Sequence, residues 1–266
     1  MRGSRLRTVT RHVIQLLVLW ALLTAGFEAF AFLDFYPTVG APEAQEADGI
    51  FRLLLFMGLP VFAFVVAALG YGIFAFRSSA PEGNDGGPTM RGTGLAPRVW
   101  LAITGGLALL AMIHPGLTGL ANLQADDDGY GWGDPEAELV VNVKAFRFSW
   151  EMEYEGSGVT VNTAVGQELV LPVDREVTFR IESIDVVHSF WIPAFRLKID
   201  AIPGRTTFFS VEPDKPGAYD DDSAYRVQCA ELCGVDHTLM RFPVRVVEQA
   251  EFDAWLASLQ PGNGGN

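Results

Sequence analysis

Three long apolar runs open this sequence, and a series of short alternating segments closes it. The first run spans Val13 to about Leu33, behind a basic head that ends at Arg11, and Glu28 is its only charge. Its length suits a membrane helix, which needs about 20 apolar residues. It equally suits a signal peptide, with Ala29-Phe-Ala31 as a small-x-small cleavage site. The second run, Ile50 to Phe76, has Arg52 at its start and Arg77 just beyond its end. The third, from about Val99 to Leu120, follows Pro97-Arg98, and Pro115 within it predicts a local kink or stop. Between the second and third lies a glycine-, serine- and proline-rich loop, 78–95. Arg77, Arg91 and Arg98 bias that connection toward the cytoplasm, so everything after Leu120 is expected outside.

After an acidic linker, 122–137, the pattern changes period. Leu139–Ala145, Phe148–Tyr154, Val159–Val165, Glu168–Val173 and Glu176–Ile184 read as strands, as do Phe208–Val211, Tyr225–Cys229 and Phe242–Val247. Gly156, Gly158, Gly166, Pro172, Pro213 and Gly217 punctuate them. The expectation is a membrane-anchored all-β protein: transmembrane helices followed by a Greek-key β-sandwich. A short helix over Glu248–Leu259 closes it. The expected divisions are 1–33 as signal peptide or extra helix, 34–121 as a two-helix hairpin, 122–137 as linker, 138–260 as the sandwich and 261–266 as a disordered tail.

Charge follows the same division. The formal net charge is −13, with 25 acidic against 11 basic residues from position 119 onward and 7 against 8 before it. That acidity argues against nucleic acid and for a basic partner, which Asp126–Asp128, Glu151, Glu153, Glu155 and Asp220–Asp222 would attract.

The chemistry is concentrated in Cys229-Ala-Glu-Leu-Cys233-Gly-Val-Asp-His237-Thr-Leu-Met240, which holds both cysteines of the chain. Two thiolates, an imidazole and a thioether are a soft ligand set, suited to copper or zinc and poorly suited to magnesium or calcium. His188 is the only other histidine beyond the apolar runs, and it supplies the missing ligand. Two coppers bridged by the cysteines, one zinc with two cysteines and two histidines, or a Cys229–Cys233 disulfide all fit this inventory. Met240 favours copper over a structural zinc. The disulfide leaves His188, His237 and Met240 without a role.

The segment resembles the copper-binding loop of subunit II in the haem–copper oxidase superfamily. The pattern C-A-E-L-C-G-x-x-H-x-x-M carries the resemblance, supported by His188-Ser-Phe-Trp-Ile-Pro193 and by Lys198-Ile-Asp200-Ala-Ile-Pro-Gly-Arg205. It covers roughly residues 50 to 257. The resemblance implies a cupredoxin-like domain and a dinuclear copper centre held by His188, Cys229, Cys233, His237, Met240 and the backbone carbonyl of Glu231. It also implies that the Glu231 carboxylate is lent to a magnesium site at the interface with the catalytic subunit. Leu232, Phe190 and Trp191 are expected in the apolar shell of the coppers.

By the same resemblance the chain passes electrons from cytochrome c to the catalytic subunit I, in a complex that also holds subunit III, and has no catalytic residues of its own. Phe148 and Trp150 mark where electrons enter, and Asp200 and Arg205 face the catalytic subunit. The expected site is a bacterial or archaeal inner membrane, with the C-terminal domain on the periplasmic or outer face.

Two positions depart from the family pattern. Phe148 stands where a tryptophan usually receives the electron, and Pro97 stands where many relatives carry a glutamate that admits protons. The second departure keeps open a related role as the copper subunit of a membrane nitric oxide reductase.

Overall fold

The computed structural model describes residues 2–33, 35–75, 77, 94–119, 121, 137, 139–163 and 167–260. The loop carrying Arg91, the linker with Asp126–Asp128, Val165 and the tail 261–266 lie outside the described residues. The chain divides into two units: Met1–Phe35 with Gly49–Gly119, and Tyr36–Asp48 with Leu120–Asn266.

The first unit is helical. Its helices are α1 (Arg2–Ala31), the greater part of α2 (Pro42–Ala75), and α3 (Leu95–Ala111), which runs into a widened turn at Met112–Leu117. Three spans, Thr10–Ala31, Pro42–Ala75 and Pro97–Leu117, are long and apolar enough to cross a membrane. The kink expected at Pro115 is present. His114 leaves helical geometry (φ −138°, ψ 118°), and its Nδ1 lies 2.8 Å from Thr118 Oγ1.

The 34 residues of α2 span about 51 Å at 1.5 Å per residue, well beyond the ~30 Å of a hydrocarbon core. Its first turns belong instead to the second unit, as does the segment before them.

The second unit is built on eleven strands among the described residues. They are β1 (Leu139–Phe146), β2 (Ser149–Tyr154), β3 (Val159–Asn162), β4 (Leu169–Pro172), β5 (Val177–Ser183), β6 (His188–Trp191), β7 (Lys198–Ala201), β8 (Thr207–Val211), β9 (Gly217–Ala218), β10 (Arg226–Cys229) and β11 (Arg241–Val247). One sheet has the order β3-β2-β1-β5-β8; the other runs β4-β11-β10-β6-β7, with β9 added to β11. The β1–β5 and β4–β11 pairs are parallel, and the remaining pairs are antiparallel.

Alternation explains the strands. In β2, Trp150, Met152 and Tyr154 are buried while Glu153 between them is exposed. Eight of these strands fall in the segments expected from the sequence; β6, β7 and the two-residue β9 lie outside them.

Both sheets contribute to one core, where Trp150, Tyr154, Phe179, Phe190, Phe195, Phe242 and Phe252 are fully buried. The hydroxyl of Tyr154 donates to Val170 O at 2.8 Å and accepts from Val170 N at 2.9 Å, so its burial leaves no polar atom unpaired. The closing helix α4 (Gln249–Leu259) lays Phe252 and Trp255 against the Tyr154 ring.

The segment 36–48 is stitched to this unit. Gly40 N donates to Ala194 O and Gly40 O accepts from Asp214 N, while Ala41 joins the core. Arg196, which takes a left-handed conformation (φ 58°), clasps Asp48 through Nε and Nη2, each at 2.8 Å. The same guanidinium donates to the carbonyls of Pro37, Thr38 and Pro193.

Candidate metal centre

The loop 229–240 joins β10 to β11, which are antiparallel neighbours, so its two ends must lie side by side. Cys229 N donates to Met240 O at 3.1 Å and closes the mouth of the loop. The other flank of β10 is β6, with Cys229 paired opposite Phe190. Residues two apart on a strand share a face, so His188 and Phe190 point the same way, toward the buried side of Cys229. The Ala230 N–H donates to Ser189 O at 3.0 Å and continues this register into the loop.

The result is a convergence of soft donors. Cys229 Sγ lies 3.9 Å from Cys233 Sγ, 3.8 Å from His188 Nδ1 and 3.1 Å from Glu231 O. Cys233 Sγ lies 3.5 Å from His237 Nδ1 and 3.8 Å from Met240 Sδ. Metal–ligand bonds of about 2.0–2.3 Å set donor–donor spacings of roughly 3.3–3.8 Å around a tetrahedral ion. The donor atoms of His188, Cys229 and Cys233 all fall within 4.8 Å of one another, and all three residues are buried. The donor set therefore fits soft metal. Both cysteines are free thiols, so the disulfide alternative is not what the fold adopts. Burial and the neighbouring Cys229 push the Cys233 thiol up to about 11, a proton that a metal must displace.

Asp185 was not singled out in the sequence, yet it completes the site. Its Oδ1 accepts from His188 Nε2 at 2.8 Å, which leaves the Nδ1 lone pair free to ligate. Burial alone would raise the Asp185 carboxyl. Hydrogen bonds from His188, from the backbone N–H groups of Arg147 and Val186, and from the Arg147 side chain reverse this and hold it far below the usual carboxylate range. The signal was present as a carboxylate three residues before a candidate ligand, within one tight turn.

The other expected residues fall in different places. Glu231 is exposed, so its carbonyl turns to Cys229 while its side chain lies at the surface. Trp150 is fully buried beneath the centre, edge-on to Phe190 at 5.4 Å and to His188 at 6.2 Å. Phe148 is half-buried and lies over the loop: a Cβ added to Gly234 would meet its ring at 3.0 Å. Asp200 and Arg205 are both exposed.

Leu232 is not part of an apolar shell. It is 78% exposed, and with Val235 and Leu239 it forms an apolar rim on the outside of the loop. Phe190 is buried as expected, and Trp191 is half-buried. The acidic field is weaker than the sequence suggests, because Glu151 pairs with Lys144 and Glu155 pairs with Arg180, while Asp222 keeps its charge under hydrogen bonds from Thr38 and Ala224 N.

A β domain that carries a soft-metal donor set on the loop between two interior strands and on the strand beside them, in a chain with apolar helices long enough to cross a membrane, defines a class of membrane-anchored metal-site protein. Comparison with known proteins gives the family. The family model described as cytochrome c oxidase subunit II, periplasmic domain, matches residues 141–248. A heme-copper oxidase subunit 2 from Aeropyrum pernix is 36% identical over 213 residues, covering 76% of this chain and 85% of the relative.

Cytochrome c oxidase subunit 2 of Synechocystis is 30% identical, covering 85% of this chain and 76% of the relative. That of Alkalihalophilus pseudofirmus is 31% identical, and there the match spans only 60% of the relative's length. Among solved structures, the periplasmic domain of cytochrome oxidase subunit II from Bradyrhizobium japonicum is 32% identical, covers 47% of this chain and 95% of its own, and has a TM-score of 0.41.

The chain belongs to the cytochrome c oxidase subunit 2 family. It is a multi-pass inner-membrane protein whose metal-binding domain lies on the periplasmic or outer face.

Proposed function

We propose that this chain is the electron-accepting subunit of a terminal oxidase, taking electrons from cytochrome c and passing them to a haem–copper catalytic subunit that reduces oxygen to water. The observation that carries the reading is the convergence of Cys229, Cys233, His188, His237, Met240 and the Glu231 carbonyl from one loop and one adjacent strand. In this reading the two cysteines, Cys229 and Cys233, with His188 and His237 would hold two coppers, and Met240 and the Glu231 carbonyl would be weaker donors. When bound, such a pair supplies a one-electron couple shared over both metals.

The chain's own part is to hold the donors still. His188 and Met240 are fully buried, and Asp185 fixes the His188 tautomer. Fast electron transfer needs little rearrangement, and a packed site with satisfied hydrogen bonds resists it. Phe148 over the loop and the exposed Leu232, Val235 and Leu239 form the surface on which a donor docks. The Glu231 carboxylate, turned outward, serves as a ligand for a hard cation such as magnesium at the junction with subunit I. The parallel β1–β5 and β4–β11 pairs, among otherwise antiparallel neighbours, support a cupredoxin-like Greek-key reading of the domain. The linker and sandwich boundaries at 122–137 and 138–260 belong to the same proposal, as do subunit III and cytochrome c as partners.

Metal analysis of the purified, copper-loaded full chain, with rapid-mixing kinetics against reduced cytochrome c, tests this. The expected result is two coppers per chain, a purple mixed-valence spectrum and reduction by cytochrome c. One copper, or a spectrum of a single-copper site, overturns the dinuclear assignment. Pro97 near the head of α3 favours a second reading, the copper subunit of a nitric oxide reductase. Turnover of the assembled complex with oxygen and with nitric oxide separates the two.

A further inference from the structure

The sequence leaves α1 either as a cleaved signal or as a retained helix, and its contacts decide what it is built for. Trp20 Nε1 donates to Pro60 O of α2 at 2.8 Å, and Trp20 and Phe27 set their rings against Phe64 and Phe62. Near the N-terminal end of α1, Tyr71 of α2 donates to Gln15 Oε1 at 2.7 Å. Its oxygen therefore accepts from His12 Nδ1, at 2.6 Å. Polar pairs of this kind join helices where lipid offers no other partner. A sequence used only as a secretion signal has no need of them.

Beside this network lies a cavity of about 610 Å³, lined by Arg7, Arg11, His12, Gln15, Tyr71, Phe74 and Ala75. Arg7, Arg11 and Gln15 recur at intervals of four and share one face of α1. Among the described residues, no acidic side chain meets either guanidinium. Thr10 opens the apolar span of α1 and Ala75 ends that of α2, so the cavity sits where hydrocarbon gives way to headgroups. The basic head and the loop beginning at Arg77 put that boundary on the cytoplasmic side.

We propose that this cavity binds the phosphate headgroup of an anionic phospholipid, and that α1 is retained in the mature protein to complete it. Arg7 and Arg11 supply a double fork for phosphate oxygens. Tyr71 and His12 form the polar wall, and Phe74 with Ala75 supplies an apolar edge for the start of an acyl chain. A soluble phosphate would use the arginines alike but would gain nothing from the apolar edge or from the position at the membrane boundary.

The test uses the full chain purified into nanodiscs of phosphatidylcholine doped with phosphatidylglycerol, read by native mass spectrometry after detergent release. The expected result is an intact N-terminus and retained phosphatidylglycerol in preference to phosphatidylcholine. Arg7→Gln with Arg11→Gln is expected to cut retention roughly thirtyfold, from two charges near the membrane surface.

Because charge removal also alters insertion, Arg2→Gln with Arg5→Gln is the matched control, and it is expected to keep the lipid. Equal loss in the control reduces the effect to diffuse basic charge and overturns the site. Displacement of the lipid by inorganic phosphate assigns the cavity to soluble anions and overturns the lipid. A mature chain that lacks the first helix overturns the proposal outright. None of these outcomes depends on copper, so they leave the electron-transfer reading untouched.

Discussion

His188 and Arg196 stand eight residues apart on one short stretch, yet their surroundings are built in opposite ways. Around His188 the protein gathers soft donors at 3.1–3.9 Å from one another: two thiols, two imidazole nitrogens, a thioether and a carbonyl. Around Arg196 it gathers acceptors that fully satisfy one guanidinium, namely the Asp48 carboxylate and three backbone carbonyls. The first arrangement is a donor set that suits an ion from outside. The second is complete by itself. One centre is built for chemistry and the other for anchorage, and the residues 189–195 between them tie the two together.

The largest expected effect breaks the first centre. Cys229→Ser or Cys233→Ser leaves one thiolate, which alone cannot join two metals into one compact core. Each variant is expected to lose the dinuclear spectrum completely, and electron uptake from cytochrome c with it. An intact two-copper spectrum in either variant would show that the thiolates do not bridge.

Next in size is the clasp. Arg196 and Asp48 are 14% and 12% exposed at their side chains, so removing one partner strands the other's charge in a nearly buried place. Arg196→Met or Asp48→Asn is expected to cost about 3 kcal/mol, the lower part of the range for a broken buried pair. Thermal unfolding of the solubilised full chain, followed by the copper absorbance, measures it. The double variant Arg196→Met/Asp48→Asn should lose less than the sum of the single changes. Strict additivity would mean that the pair carries no mutual energy.

Asp185→Asn probes the link between a ligand and its support. The amide keeps the size of the carboxylate but removes the charge that His188 Nε2–H and Arg147 both face. Losing such a partner commonly costs 10–100-fold in metal affinity. Copper competition against a chelator is expected to show a loss in that range with the spectrum preserved. Unchanged affinity would reduce Asp185 to a turn residue.

The same contrast explains what could be read from the chain. The copper loop was legible because its donors recur within twelve residues and need only a turn to meet. His188 was legible because few histidines compete with it. The clasp was not, because Asp48 and Arg196 are 148 residues apart and each is, alone, an ordinary charged side chain. Position 48 also sits at the head of an apolar run, where hydropathy suggests membrane and says nothing of a β domain. Strands with strict alternation, such as β2, were found. Strands β6 and β7 were not, since β6 opens on the polar pair His188-Ser189 and β7 carries Lys198 and Asp200, so neither reads as an apolar or β-branched run. The placement of Leu232 on the outer rim was missed for a related reason. In a loop that wraps a centre, neighbours such as Leu232 and Cys233 face opposite ways, and no periodicity announces which is inside.

The smallest expected effect is the most discriminating. Met240 is fully buried, and its Sδ lies 3.8 Å from Cys233 Sγ. Its backbone carbonyl closes the loop mouth by accepting from Cys229 N, a bond that any side chain at 240 would keep. Met240→Leu therefore retains the loop and roughly the volume, a type of change that usually costs under about 1.5 kcal/mol. What it removes is one soft, polarizable donor beside the centre. Both coppers are expected to remain and the mixed-valence spectrum to survive, while the reduction potential shifts because the donor set around one copper has changed. Uptake from cytochrome c should stay close to normal, and onward transfer in the assembled complex should change with the altered driving force. Potentiometry of the full chain, paired with electron-transfer kinetics in the complex, measures both. An unchanged potential with an unchanged spectrum would make Met240 part of the packing that surrounds the centre, alongside Trp150 and Phe190, and would leave the two thiolates and two histidines as the entire side-chain ligand set.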